Sequence, residues 1–100
     1  MTRLRTMLGF AKRARQLACG ANAVQRSILF GKSYLVIIAT DSGDSLKRKF
    51  TRLCEENDIR ICIYSSNEEL SMLTGENNKS IYSVENPNLA EEVYKLINNG

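Results

Sequence analysis

The run Gly20-Ala21-Asn22-Ala23-Val24-Gln25-Arg26 concentrates residue types that can hold an anion or read a nucleobase. A glycine just ahead of a helix lets another backbone approach closely. The helix start then offers N–H groups without helical partners to an anion. Asn22 and Arg26 fall one turn apart on one flank, with Gln25 beside them. An asparagine amide can pair with a base edge, and an arginine can hold a phosphate or a guanine. Spacing alone leaves a plainer possibility open, in which Asn22 only caps the helix and Arg26 is only exposed.

The elements that must position this run follow from apolar periodicity. Leu4, Met7, Leu8, Ala11, Ala14 and Ala18 recur at helical spacing and predict a first amphipathic helix between Thr2 and Ala18, with Arg5, Lys12, Arg13 and Arg15 on its other side. Cys19 and Gly20 interrupt it, and Leu17 to Cys19 has room for a short strand. A second helix, capped by Asn22, turns Val24 and Ile28 inward and stops at Gly31. Tyr34 to Ala39 is β-branched, apolar on both faces and too short for a helix, which suits a central strand. The turn Asp41-Ser42-Gly43-Asp44 leads to a helix with Leu46, Phe50, Leu53 and Cys54 on one seam and Lys47, Arg48, Lys49 and Arg52 off it. Arg60 to Tyr64 reads as a strand, and Ser66 or Asn67 caps a short helix ended by Gly75. Lys79 to Val84 reads as the last strand, and Pro87 starts a final helix with Leu89, Val93, Leu96 and Ile97 inward. This alternation predicts an α/β fold, a three-layer α/β/α sandwich on a small mixed sheet of about four strands, with residues 1–100 as one domain. The four tyrosines fall at core-like positions.

Charge is unevenly spread along the chain. Up to Leu53 there are eleven basic residues against two acidic, a net +9, and from Cys54 onward three against nine, a net −6. Such segregation predicts a positive surface, for which phosphate-bearing partners are the commonest use. Three cysteines without a C-x-x-C pair suggest neither a disulfide framework nor a metal site. The absence of histidine removes the usual general base and the partner of most serine or cysteine nucleophiles. No cofactor, metal or small-molecule substrate is expected. The longest strongly apolar stretch, Leu35 to Ala39, is far too short to span a bilayer, so a cytoplasmic protein is expected.

The order and spacing of several motifs carry a family resemblance over nearly the whole chain. Cys19-Gly20-Ala21-Asn22, Arg26 and Gly31 come first. The strand ending at Asp41, Leu53-Cys54-Glu55-Glu56, and Ser66-x-x-x-Leu70 with Gly75 follow. Together they resemble the kink-turn-binding ribosomal protein superfamily of the L-seven-Ae and L-thirty-e type. The opening Leu8-Gly9-x-Ala11-x-Arg13-Ala14 is most similar to the bacterial branch called YlxQ. The resemblance implies recognition of an internal RNA bend with tandem sheared G·A pairs, in ribosomal or other structured RNA, with ribosomal or translation factors as further partners. It places Gly20, Ala21, Asn22, Gln25 and Arg26 against the RNA groove and the loop of Asn77, Asn78, Lys79, Ser80 and Ile81 over the flipped nucleotides. Lys32 adds a backbone contact. Archaeal and eukaryotic members usually carry a glutamate where this chain has Ala23, and often an acidic residue where it has Gly43. Losing both carboxylates shifts the expected balance from base readout towards phosphate contacts.

Two other readings remain open at this level. In one, the Asp41-Ser42-Gly43-Asp44-Ser45 turn cradles a phosphate in an α/β enzyme, although its aspartates oppose an anion and it lacks the G-x-x-x-x-G-K-[ST] pattern. In the other, the acidic C-terminal half docks a basic protein of the translation or transcription apparatus.

Overall fold

Successive residues of a strand point to opposite faces of a sheet, and here those faces feed two separate cores. The computed structural model describes residues 2–99, so Met1 and Gly100 of the expected 1–100 unit lie outside the described residues. The elements run α1 (Thr2–Arg13), β1 (Leu17–Cys19), α2 (Ala21–Leu29), β2 (Leu35–Ile38) and α3 (Asp44–Glu56). They continue with β3 (Ile61–Ile63), α4 (Asn67–Thr74), β4 (Ile81–Val84) and α5 (Pro87–Asn99). The sheet order is β1-β4-β2-β3. β4 is antiparallel to both β1 and β2, and β2 is parallel to β3, which is the mixed four-stranded sheet expected.

On one face Val36, Ile38 and Ile81 pack with Val24 and Ile28 of α2 and Phe50 and Cys54 of α3. On the other, Leu35, Ile37, Tyr82 and Val84 meet Leu4 and Leu8 of α1, Leu70 of α4, and Ala90 and Val93 of α5. α2 is also held by a polar latch through its core. The Ser27 hydroxyl lies 2.9 Å from that of Ser83 on β4, which donates to Ser33 at 2.7 Å, all three being buried.

Several boundaries differ from the periodic reading. α1 stops at Arg13, because Arg15 adopts a left-handed conformation (φ 60°) and Gln16 N–H reaches back to the Ala11 carbonyl at 2.7 Å. Ala14 is therefore exposed, and Ala18 packs against the α2–α3 core from β1. Tyr34 precedes β2 and is 47% exposed rather than in the core. β4 begins at Ile81, not Lys79, since the Lys79 N–H turns to the Ser71 hydroxyl of α4 and not to a neighbouring strand. None of the helices among the described residues is long and apolar enough to cross a membrane.

Candidate nucleic-acid interface

The register of the sheet gathers three junctions at one end. Cys19 pairs with Tyr82, and Ile38 with Ile81, so the start of α2, the 77–80 loop and the turn after β2 emerge side by side. Gly20 is the hinge of this end. Its N–H donates to the Ile81 carbonyl at 2.9 Å, and its carbonyl accepts the first helical bond, from Val24 N–H at 2.9 Å. Its backbone (φ 93°, ψ 159°) is one that side chains other than hydrogen rarely adopt.

Gly20, not Asn22, is thus the N-cap, and the helix begins earlier than the sequence reading places it. The reason is long-range: β4 captures Gly20 before Asn22 can act as cap. No side chain caps α2, so the N–H groups of Ala21, Asn22 and Ala23 precede the first helical bond and head the positive end of the helix dipole. Asn22 sits within the first turn, exposed, with its amide free for a ligand. Arg26 follows one turn later, also exposed and outside the ion pairs of the described residues.

Lys79 reaches this end from the opposite loop. A Cβ added to Gly20 would lie 3.4 Å from Lys79 Cδ and 3.5 Å from its Nζ, so the lysine stem crosses directly over the glycine. The loop is fixed from beneath. Lys79 N–H donates to the Ser71 hydroxyl at 3.2 Å, and the Tyr82 hydroxyl donates to the Lys79 carbonyl at 2.9 Å. Ser80 in turn accepts from Ala39 N–H at 2.8 Å. Asn77 and Asn78 project from the loop tip and are exposed, with Asn78 left-handed at φ 57°. Ile81 does not belong to this covering surface. Its side chain is 1% exposed in the α2–α3 core, and it serves the site only through the carbonyl that holds Gly20.

The two flanks of α2 differ. On one side Arg26 and Lys32 share an open hollow of about 280 Å³ with Ala18, Ala23, Phe30 and Glu85. Phe30 there is 71% exposed, a feature the sequence reading missed. On the other side Gln25 faces Arg48, Lys49 and Arg52 of α3. The basic N-terminal half does not make one continuous positive surface, because the sheet separates α1 from α2 and α3. Lys12 is committed to Glu76 (2.9 Å) and to the Gly75 carbonyl (3.0 Å), which ties α1 to the base of the loop.

Burial pushes the Cys19 thiol up to about 11, helped by the nearby Glu76 charge, so Cys19 is a neutral packing group beside Gly20 and not a nucleophile. In the turn after β2 the Asp41 carboxylate accepts from Asn67 N–H at 3.0 Å, tethering α4. Among the described residues no group of histidine, cysteine, aspartate or glutamate is arranged to hold a metal.

Fold and surface together define a small three-layer α/β protein that turns an uncapped, cation-flanked helix start to solvent. Residues 2–99 match the ribosomal protein L7Ae/L30e/S12e/Gadd45 family, and the chain belongs to it. Among solved structures, a Bacillus halodurans protein of unknown function superposes with a TM-score of 0.91 at 26% identity, covering 98% of this chain and 99% of that one. A Giardia lamblia 15.5kD RNA binding protein shares the fold, with a TM-score of 0.78 at 19% identity over 96% of this chain and 85% of that one. No curated protein matches the chain.

Proposed function

We propose that this protein binds structured RNA at a kink-turn-like internal bend, in the cytoplasm and in a ribosome- or translation-associated role, as a YlxQ-like member of its family. The observation that carries the reading is the meeting of Lys79 with Gly20, which sets a cationic loop over a helix start whose N–H groups, Asn22 and Arg26 are all open. RNA enters as the ligand that needs these groups together. The N–H groups, Arg26, Lys32 and Lys79 take phosphates, and Asn22 and Gln25 offer amides to base edges. Asn77, Asn78 and Ser80 then cover unstacked nucleotides at the bend. Family membership supports an RNA partner, and the structural likeness to an RNA binding protein of Giardia lamblia is consistent with it.

The test is a salt-dependent titration against a kink-turn RNA and a straight duplex of equal length. Tighter binding to the kink-turn supports bend recognition without carboxylates at Ala23 and Gly43. Equal, steeply salt-dependent binding reduces the reading to general RNA binding. Absence of binding to both refutes it and favours a protein-docking role.

A further inference from the structure

We propose that the groove between α2 and α3 is a second phosphate track, which holds one duplex arm of the RNA whose bend sits at Gly20. The proposal rests on the RNA-binding reading above and extends it to Arg48, Lys49 and Arg52, which that reading leaves without a role.

The groove encloses about 370 Å³, with Gln25 on its α2 wall and Ser45, Arg48, Lys49, Arg52 and Glu56 along α3. Gln25 lies three residues after Asn22 on the exposed side of α2, so the groove opens from the same helix surface as the bend site. Arg48, Lys49 and Arg52 are all exposed, and none takes part in an ion pair among the described residues. Lys47, the first cation of this run, is different: its ammonium donates to the Thr40 carbonyl and braces the turn after β2. The structure therefore divides a sequence block of four cations into one internal brace and three open charges. The Lys49 ammonium lies over the Phe50 ring, its Nζ 5.6 Å from the ring centroid, a cation–π contact that places the charge beside the groove while the side chain stays exposed.

The spacing suits a polyphosphate chain. Arg48 and Arg52 are one helical turn apart, about 5–6 Å between Cβ atoms, comparable to the separation of successive phosphates on one strand. Glu56, the one acidic residue of the lining, stands at the C-terminal end of α3, where its closing charge opposes a phosphate. An acidic protein segment is a poorer fit. Leu53 is the one apolar side chain of the lining, and stable protein interfaces are built around a desolvated aromatic or aliphatic anchor. A duplex arm needs no such anchor, because released counterions supply its binding energy.

The experiment compares wild type with the Arg48→Gln/Arg52→Gln double variant on two kink-turn RNAs, one with long arms and one trimmed to the base pairs flanking the bend. Wild type is expected to prefer the long-arm RNA by tenfold or more at low salt. The double variant is expected to lose that preference, with a salt slope lower by about 2 on the long-arm RNA, roughly one per lost phosphate contact. Both proteins should bind the trimmed RNA equally. Glu56→Gln, which removes the closing charge, should tighten the long-arm complex alone. Unchanged affinity and salt slope of the double variant on the long-arm RNA would overturn the track while leaving the bend site intact. If wild type binds neither RNA, the track falls together with the reading on which it rests.

Discussion

The Ser71 hydroxyl holds Lys79 at both of its backbone groups, accepting from the N–H and donating to the carbonyl, each at 3.2 Å. Ser71 is in α4 and Lys79 follows the 77–78 turn, so one buried side chain closes the loop that covers Gly20. Ser71→Ala removes both bonds and leaves the Lys79 N–H without its partner. Unfolding in urea should show a loss of about 1–3 kcal/mol. RNA affinity should fall severalfold as the lysine loses its aim.

Asn22→Ala and Arg26→Ala test the proposed RNA site from the helix side. Both side chains are exposed and engage nothing that the fold requires. Each is expected to weaken RNA binding by about 1–3 kcal/mol, with stability changed by no more than about 0.5 kcal/mol. Wild-type affinity in the double variant would remove the proposed site.

Gly20→Ala should separate backbone strain from contact. The added methyl forces a side-chain-bearing residue to φ 93°, while its 3.4 Å approach to Lys79 Cδ is an ordinary contact. A stability loss of about 1–3 kcal/mol is expected from the strain. Lys79→Ala in the same background removes the contact but not the strain, so the double variant should remain less stable than Lys79→Ala alone by about the same amount.

The thiols predict a pH dependence. Burial pushes Cys54 up to about 11 from its ordinary 9.0, which favours the neutral form in the folded chain. Below pH 9 both folded and unfolded chains keep the proton, and the contribution is fully present. Between pH 9 and 11 the unfolded chain releases it first, so stability declines as pH rises. Cys54→Ala lowers stability through its cavity at every pH, but lacks this titration. The stability gap between wild type and variant, followed by chemical denaturation, should therefore narrow above pH 9.

Local patterns in the chain reached the architecture further than the site. The run Tyr34 to Ala39 announced a strand covered on both faces, and all of it but the exposed Tyr34 is buried. Phe50 and Cys54, spaced at one turn, announced the inner seam of α3. What local spacing missed depended on contacts distant in sequence. The helix start moved to Gly20 because the Ile81 carbonyl, on a strand some sixty residues on, takes its N–H. Arg15 ends α1 in a left-handed conformation without being a glycine, so nothing in its residue type marked the boundary. Gln25 and Arg52 belong to different helices, and only the sheet beneath α2 and α3 makes them neighbours.

The serine latch beneath α2 has a thermodynamic consequence for any ligand of its outer face. Ser27, Ser83 and Ser33 bond in sequence through the core, so α2 cannot slide or rotate against β4 without stranding buried hydroxyls. Asn22 and Arg26 are consequently delivered on a frame that is already set before RNA arrives. Little conformational entropy is left to lose on that side. The ordering cost of complex formation then falls on the RNA and not on this face of the protein.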